Sequence, residues 1–320
     1  MALSLGAQGI EYLEPGHFQS FVSYRYLSAD RGYIGTHQYA AYRKKIGAEL
    51  KVHSADVNLT YALTKRYSAS LTMPFVYGVV SSRLEHDGAR HSVRASGLGD
   101  VRLAANAWVF DPDTSNKGNI ALSLGVKSPT GDVDVTDTYH RKPQNGGKQR
   151  HPVDIAIQPG DGGWGLITEM QSFRGIFENT YAYATGFYLS NPRNTNGVDT
   201  SIPIYGKYRK DSVADQYQAR AGLSYEVWPH QGLAVSLGGR IDGVLQRDLI
   251  GLSDGWRRPG YVIYVEPGLI LSHGKNTFSV YVPVAVQRNR QGNVFDNEFH
   301  GHGPGAFADY LVLFSASRLF

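Results

Sequence analysis

The sequence has no cysteine, and it has no uninterrupted apolar run of about 20 residues. None of its 320 residues is a cysteine and only 3 are methionine. The missing cysteines exclude disulfides and thiolate metal sites. The missing apolar run excludes a membrane protein built of helices, in agreement with a mean hydropathy of −0.31. A transmembrane β-barrel is not excluded, because half of its strand residues face the lumen.

Strong charge of either sign is also lacking. The formal net charge is +4 and the pI is about 9.0, which is too mild an imbalance to predict nucleic-acid binding. Glycine and tyrosine, by contrast, are frequent, with 37 and 21 residues. This balance is typical of a β protein with many turns and with aromatic belts at two membrane interfaces.

The first residues contain no recognisable export signal. The sequence after Met1 has neither a basic region nor a long apolar core, the two parts of a secretory signal. Because the remainder has the features of an envelope protein, we expect that a signal has been removed. We predict one domain over residues 1–320, with residues 1–15 as an N-terminal periplasmic segment.

The stretch 56–77 shows the strand pattern most clearly. Apolar and polar residues alternate on both sides of a turn at residues 64–66, which predicts an antiparallel hairpin with two different faces. The apolar face consists of Val57, Leu59, Tyr61, Leu71, Met73, Phe75 and Tyr77. Pro74 lies within the second strand, where proline cannot donate a ladder hydrogen bond. We therefore expect a bulge or a missing ladder bond at Pro74.

Similar alternation recurs about twelve times, and the connections between the strands alternate in length. Short connections lie near Lys65, Asn116, Gly175, His230 and Lys275, and long ones lie near Arg31, Arg90, Arg141, Asn196, Gly255 and Asn297. Outer-membrane barrels have short periplasmic turns and long extracellular loops. The sequence therefore predicts an all-β fold, a single transmembrane antiparallel β-barrel of about 12 strands. We expect polar connections over 81–96 and 127–163, and a turn over 174–176.

The last strand ends in an aromatic residue, Phe320, preceded at period two by Ala316, Phe314, Val312 and Tyr310. This resembles the C-terminal strand signal of bacterial outer-membrane barrels, and the resemblance implies recognition by the barrel assembly machinery. Arg318 departs from the signal, although an arginine at the membrane rim can extend its charged end to water.

Several motifs together resemble one outer-membrane family. They occupy residues 58–66, 71–77, 96–103, 124–132, 158–164 and 266–269. In this order and spacing they resemble the family named for the MetA pathway of phenol degradation, over most of the chain from about residue 50. The resemblance implies a β-barrel in the Gram-negative outer membrane with a role in the uptake of hydrophobic or aromatic compounds.

The polar faces of the predicted strands carry charges of both signs. The candidate lumen residues are Arg25, Arg102, Glu169, Arg220, Glu226, Arg240, Asp242 and Glu266. In a narrow barrel, facing acids and bases are close enough to pair. They form either a constriction that selects solutes or a structural network that fills the barrel, and the sequence leaves both interpretations open.

Three aspartates, Asp100, Asp132 and Asp161, lie in glycine-rich turns at the predicted extracellular rim. Carboxylates are ligands that Ca²⁺ prefers, so a calcium site at this rim is one interpretation. The other is that these aspartates close turns at strand ends. No further cofactor is predicted, because diffusion down a gradient needs none.

Basic residues are frequent in the predicted extracellular loops. They are Arg83, Arg90, Arg94, Arg141, Lys142, Lys148, Arg150, Arg257, Arg258, Arg288 and Arg290. Such residues bind lipopolysaccharide phosphates through charge-assisted contacts, or they are simply solvated. Membrane lipid, lipopolysaccharide and a small-molecule solute are therefore the predicted partners.

Passive uptake of small, hydrophobic or aromatic molecules through an outer-membrane channel is the function that the sequence favours. A closed structural or partner-binding barrel and an outer-membrane lipid-modifying enzyme are the alternatives. The segment 251–255 matches the Gly-x-Ser-x-Gly pattern of hydrolases, but that pattern has meaning only at a strand-to-helix elbow. Here it lies in a predicted loop, so we expect no catalytic activity. The sequence does not name the substrate.

Overall fold

The computed structural model describes residues 11–42, 47–83, 88–140, 147–201, 209–298 and 303–320. The strands are β1 (Phe18–Ala29), β2 (Gly32–Ile34), β3 (His37–Gln38), β4 (Glu49–Ala62), β5 (Tyr67–Ser82), β6 (His91–Leu98), β7 (Arg102–Trp108), β8 (Gly118–Lys127), β9 (Thr136–Tyr139), β10 (Gln149–Pro152), β11 (Gly165–Phe177), β12 (Thr180–Ser190), β13 (Thr195–Asp199), β14 (Lys210–Ser212), β15 (Gln216–Trp228), β16 (Leu233–Val244), β17 (Gly260–His273), β18 (Asn276–Tyr281), β19 (Val284–Arg290), β20 (Gly305–Ala306) and β21 (Tyr310–Leu319). A short helix, α1, covers Val294–Glu298. None of the helices in these ranges is both long and apolar enough to cross a membrane.

A closed antiparallel barrel forms the body of the protein. One sheet contains 14 strands. Because β6 and β7 together span the barrel wall once, as do β18 and β19, the chain crosses the wall twelve times. Each such passage is called a crossing. The first and last strands close it, with pairing from Gln19↔Leu319 to Ser28↔Tyr310. The predicted all-β barrel of about 12 strands is confirmed.

The two faces of each strand have different environments. Along β4, buried Asp56, Asn58 and Thr60 alternate with Val57, Leu59 and Tyr61, which lie on the outer surface. Apolar residues also cover the exterior of the other barrel strands, among them Leu71, Leu103, Leu122, Leu124, Leu166, Leu223, Leu237, Leu269 and Phe314. Closure of the barrel pairs the strand backbones with one another, and the apolar side chains on its exterior match the lipid. The protein is thus an outer-membrane β-barrel of the Gram-negative type.

Aromatic side chains lie at both ends of this apolar band. At the short-turn end they are Phe18, Tyr61, Tyr67, Phe177, Tyr225, Trp228 and Phe320, and at the long-loop end they include Tyr24, Tyr77 and Tyr310. Their amphipathic rings suit the two membrane–water interfaces. The girdles confirm which part of each strand lies within the lipid.

Two of the crossings are interrupted, and each interruption lies opposite a proline. The carbonyl oxygen of Pro74 accepts a hydrogen bond from the Gly99 N–H at 2.7 Å, and that of Pro267 accepts one from the Val282 N–H at 3.0 Å. Neither proline has an N–H to continue the ladder. At Pro74 the neighbouring chain also has one extra residue, because 73–74 face 99–101 between the pairs Thr72↔Arg102 and Phe75↔Leu98. The expected bulge and missing bond are both confirmed.

Two sequence predictions of connections are wrong. Part of the expected polar connection 81–96 belongs to strand β6, which pairs with β5 from His91↔Ser82 onward. Its outward side chains, including exposed Ser92 and Arg94, are polar because they lie at the membrane rim. The alternation of apolar and polar residues that marks the other strands is therefore missing from this part of the sequence. The turn expected at 174–176 lies instead at 178–179, where Asn179 has a φ of 57°.

Segments outside the strands enter both ends of the barrel. From the 128–164 connection, Ile157 is fully buried against inward-facing Val52, Val76 and Val93. Gly78 permits this approach, because a Cβ there would lie 2.5 Å from the Ile157 Cβ.

At the periplasmic end, Tyr12 packs edge-on against the rings of Trp108 and Phe173. Its hydroxyl donates to the Ser115 carbonyl at 3.1 Å. The described part of the N-terminal segment therefore lies inside the periplasmic mouth.

Candidate functional site: the charged waist of the lumen

The inward faces of β15, β16 and β17 carry a buried ionic network. Arg220 Nη2 lies 2.7 Å from Glu266 Oε1, and Arg240 Nη1 lies 3.6 Å from Glu266 Oε2. Arg240 also donates from Nε to Asp242 Oδ1 at 2.8 Å. The Glu266 side chain has no solvent exposure, so its charge is balanced by these two guanidinium groups.

Aromatic rings enclose this network from the neighbouring strands. The Arg220 guanidinium carbon lies 4.4 Å from the Tyr281 ring centroid and 5.3 Å from that of Tyr183. Cation–π contact is strongest where water is excluded. The position of Arg220 is therefore fixed from two sides.

A second ion pair joins β4 and β7 on the inner side of the barrel wall. Arg102 Nη2 is 2.9 Å from Asp56 Oδ2, and both side chains are less than a tenth exposed. Next to it Asn58 donates to the Thr72 hydroxyl at 2.8 Å. These contacts line the inner wall with paired polar groups, although Asp56 Oδ1 has no hydrogen-bond donor in the described part of the chain.

Three of the predicted lumen charges, Arg25, Glu169 and Glu226, form no ion pair within 4 Å in the described part of the chain, and the first two lie on inward faces deep in the barrel. Arg25 is buried on β1, where its Nε donates to Ser54 Oγ at 3.2 Å. Glu169 faces inward on β11, close enough to Arg102 to interact electrostatically. The lumen thus has an unpaired positive charge and an unpaired negative charge on well-separated strands.

The structure brings seven of the eight predicted constriction residues to the waist, and Glu226 is the exception. It lies six residues further along β15 than Arg220, about 20 Å away at the usual rise per strand residue, near the short turn after Trp228. Its backbone N–H binds the Asn179 carbonyl of the adjacent turn at 2.8 Å. Glu226 is thus placed at the periplasmic mouth.

Two of the three aspartates proposed as calcium ligands meet around a lysine. Lys127 Nζ lies 3.3 Å from Asp100 Oδ2 and also binds Asp161 Oδ1. Asp132 is exposed, and only its backbone carbonyl contacts this region, through the Gly160 N–H. Lys127 supplies the positive charge that a cation would supply. Within the described ranges no three His, Cys, Asp or Glu side chains gather as a metal site.

Apolar side chains line the lumen above the waist, where a wide aqueous pore has polar ones. One cluster joins Val52, Val76, Val93 and Ala95 of the wall to Ile157 and Val153 of the inserted segment. The other consists of Val262, Tyr264, Ala308, Leu311 and Leu313. Both clusters include residues from extracellular connections, so these connections narrow the extracellular half.

An extracellular ion pair anchors the inserted segment. Arg258 binds Asp154 through two hydrogen bonds, at 2.6 and 2.5 Å. The Arg258 guanidinium offsets the cost of burial and holds the pKa of Asp154 at about 2. Burial and the nearby Asp154 charge instead raise the pKa of Asp211 to about 7. Two neighbouring acids thus differ in their protonation near neutral pH.

The basic loop residues fall into two groups. Arg257, Arg258, Arg288 and Arg290 are bound to Asp248, Asp154, Asp309 and Asp296. Arg83, Arg90, Arg94, Lys148 and Arg150 are exposed. Arg141 and Lys142 lie outside the described residues. Only the exposed group has side chains accessible to lipid phosphates, so the predicted contact with lipopolysaccharide rests on it.

Sequence reasoning missed Lys127, Tyr264 and Tyr281 as lumen residues. Lys127 ends a strand of clear alternation, in which its inward parity with Ser123 was readable. Tyr281 faces inward because β18 alternates Ser279 and Tyr281 against outward Val280. The signal for all three residues was their position in the alternation of inward and outward side chains along the strand. For the two tyrosines this signal is obscured, because tyrosine is also expected at a membrane interface.

Comparison with known proteins supports the fold. No family model and no curated protein matches the chain. The chain is similar in structure to the COG4313 outer membrane channel from Pseudomonas putida F1, with a TM-score of 0.61 and 15% identity, over 98% of this chain and 100% of that one.

More distant similarity links it to the autotransporter translocator domain NalP from Neisseria meningitidis (TM-score 0.48, 11% identity, 98% and 90% covered). The P. putida toluene transporter TodX is similar at a TM-score of 0.46, with 10% identity and 95% and 90% covered. At such identities, the similarity to the COG4313 channel establishes the barrel fold alone.

Proposed function

We propose that the protein is a passive outer-membrane channel for small hydrophobic or aromatic molecules. The observation that carries the proposal is that apolar side chains fill the extracellular half of the lumen, among them buried Val52, Val76, Val262, Leu311 and Leu313. A water-filled pore for polar solutes has a polar lining. Apolar side chains that part to open a route to the charged waist admit compact apolar molecules instead.

Two resemblances support this proposal. The structural relative with a TM-score of 0.61 is described as an outer membrane channel. The motifs at residues 58–66, 71–77 and 96–103 resemble a family, named for the MetA pathway of phenol degradation, whose proposed role is uptake of such molecules. The inferred partners are the solute, the surrounding lipid with lipopolysaccharide at the exposed basic loops, and the barrel assembly machinery at Phe320.

We further infer that the protein is not an enzyme. Ser253, the serine of the Gly-x-Ser-x-Gly match, lies in a loop where its hydroxyl donates to Asp248 Oδ2 at 3.1 Å. The same Asp248 carboxylate is held by Arg257. A serine engaged in this way supports the loop, and the segment 251–255 contains no strand-to-helix elbow.

Uptake by whole cells tests the proposal, because lipopolysaccharide makes the outer membrane a barrier to apolar solutes. Cells with and without the protein receive radiolabelled benzyl alcohol, or a sugar of similar mass. We expect faster entry of benzyl alcohol only in cells that contain the protein, with sugar entry unchanged. Equal entry of benzyl alcohol in both strains would contradict a channel function, and faster sugar entry would indicate a general pore.

A closed structural barrel is the second candidate, and the burial of Ile157 inside the lumen favours it. The absence of native cysteines allows a clean test. A Cβ on Gly97 lies 3.5 Å from the Pro159 Cβ, which is within disulfide range. The double substitution Gly97→Cys with Pro159→Cys therefore fixes the inserted segment to β6 under oxidising conditions.

If the segment must move for passage, oxidation stops benzyl alcohol uptake and a reductant restores it. The single substitution Pro159→Cys serves as the control and responds to neither treatment. A closed structural barrel shows no uptake in any state. A route that bypasses the segment shows uptake that oxidation leaves unchanged.

A further inference from the structure

Arg25 differs from the other three arginines of the waist. Arg102, Arg220 and Arg240 each bind a carboxylate within 4 Å. Arg25 has no such partner, and its Nη2 is buried without a hydrogen-bond acceptor. Only 6% of the residue is exposed. Leaving a buried charged donor unsatisfied is costly, so this nitrogen needs an acceptor that the described chain does not provide.

A second unsatisfied atom lies at the same place. Asp56 is 5% exposed; its Oδ2 binds Arg102, while its Oδ1 is buried without a donor. Arg25 and Asp56 line one cavity, which is bordered by hydroxyl side chains. These belong to Ser23, Ser54, Ser279, Ser315 and Tyr281. The residues that carry an unused donor and an unused acceptor therefore line one small space.

The size of this cavity limits what enters it. Its volume is about 20 Å³, and a cavity of roughly 10–15 Å³ on this measure is needed to hold one water molecule. The space therefore holds a single small polar group and not a whole solute. The apolar body of a solute therefore lies outside this space, and Leu313 is an apolar residue on its border.

We propose that this cavity is a subsite for the hydroxyl group of a solute, an alcohol with an apolar body. The hydroxyl oxygen accepts from Arg25 Nη2, and its proton is donated to Asp56 Oδ1. A hydroxyl does both at once, whereas a hydrocarbon does neither. A carboxylate satisfies Arg25 but places a negative charge against Asp56. The subsite deepens the proposed function, on which its biological meaning rests, by naming the class of molecule recognised at the waist.

Calorimetric binding to the full chain in lipid nanodiscs tests the subsite, with empty nanodiscs subtracted. The probes are benzyl alcohol, toluene and benzoate, which share a ring and differ in the group offered to the cavity. We expect benzyl alcohol to bind roughly tenfold or more tightly than toluene, since hydrogen bonds to charged groups are among the stronger ones. Benzoate is expected to bind more weakly than benzyl alcohol.

The substitution Arg25→Met removes the donor and keeps an apolar chain of similar reach. It should abolish the preference for benzyl alcohol over toluene, while Arg318→Met on the exposed rim should keep it. A preference retained in Arg25→Met overturns the subsite. If Arg25→Met does not fold, the wild-type ranking decides alone: equal binding of benzyl alcohol and toluene, tighter binding of benzoate, or no binding of any probe overturns it.

This binding measurement separates the subsite from the channel. A clear preference for benzyl alcohol without cellular uptake would leave the subsite intact and reject the channel. Uptake of benzyl alcohol without a binding preference would leave the channel intact and reject the subsite.

Discussion

The two interrupted crossings of the barrel both lie opposite a proline but are completed differently. Opposite Pro74, the chain between β6 and β7 contains an extra residue, and a buried Lys127 joins Asp100 to Asp161 beside the gap. Opposite Pro267, the chain between β18 and β19 has no extra residue at the proline. There the preceding residue, Glu266, binds two arginines inside the lumen.

In each interrupted crossing, the strand nearer the extracellular end, β6 or β19, lacks one of its two neighbours in the barrel wall and contacts an extracellular segment in its place. β6 receives the β9 segment, where Asp137 Oδ2 accepts from the Arg94 backbone N–H at 2.8 Å. β19 receives residue Gly35, which exchanges backbone hydrogen bonds with Arg290 at 2.9 and 2.8 Å. The contact to β6 is thus made by a side-chain carboxylate, and the contact to β19 is made by backbone pairing. The region around the first interruption should therefore depend more strongly on charge than the region around the second.

The largest effect is expected for Lys127→Met at the first interruption. It leaves two buried carboxylates close together without a counter-charge, which typically costs about 3–5 kcal/mol. Urea unfolding in detergent should show a clear drop in the midpoint. The matched control is Lys65→Met, which breaks the exposed pair with Asp113 and should change the midpoint little. An equal drop in the urea midpoint for both substitutions would contradict the expectation that the buried lysine at the interruption stabilises the barrel more than an exposed one.

At the second interruption, Glu266→Gln should be the next most damaging change. It keeps the side-chain shape but leaves Arg220 and Arg240 with a neutral partner, at a cost of up to about 3–5 kcal/mol. Asp242 still binds Arg240, so we expect a smaller loss than for Lys127→Met. Planar-bilayer recordings should show increased preference for anions over cations. Unchanged selectivity would mean that Glu266 lies off the conduction path.

A pH-dependent effect is expected at the extracellular segment that covers the first gap. The folded pKa of Asp211 is about 7, above its ordinary 3.8, so between these values the folded state binds a proton that the unfolded state does not. Stability therefore falls as pH rises through this window. Thr200 and the Asp154–Arg258 pair are the groups that act on Asp211.

The substitution Asp211→Asn should remove this dependence. Hydrogen exchange of residues 153–157 and 195–201 should be slower in the variant than in the wild type at pH 8, and the difference should be smaller at pH 5. A difference of equal size at both values would show that Asp211 acts through shape and not through charge.

The smallest effects are expected from the prolines. Pro267→Ala restores an N–H where the facing residues are equal in number, so β18 and β19 should join along β17, although Pro283 still has no N–H toward β21. The amide at position 267 should then show slow hydrogen exchange. Pro74→Ala restores an N–H opposite a bulge that remains, so residues 99–101 should stay unpaired. Each change should alter stability by about 1 kcal/mol. Joining of β6 and β7 in Pro74→Ala would show that the proline alone, and not the extra residue, causes the first gap.

Much of this architecture was predictable from local pattern. Alternation along 56–77 gave two faces, and the loop lengths gave barrel topology, because both depend on residues adjacent in sequence. Strand β6 escaped prediction because its outward Arg94 lies at the membrane rim, where polar residues are tolerated. Glu266 and its two arginine partners lie on three strands, and no local signal specifies such pairing. The isolation of Arg25 is likewise a property of the assembled waist.

The seam between β1 and β21 has a consequence for how the barrel forms. Gln19 pairs with Leu319, and the Phe320 N–H binds the Phe18 carbonyl at 2.8 Å, so this junction connects residues almost a full chain apart. Contacts at such separation carry the highest loop-closure entropy and form slowly. All hairpins can assemble before this junction, but the cylinder cannot exist without it. Seam closure is therefore the step at which an open sheet becomes a closed barrel.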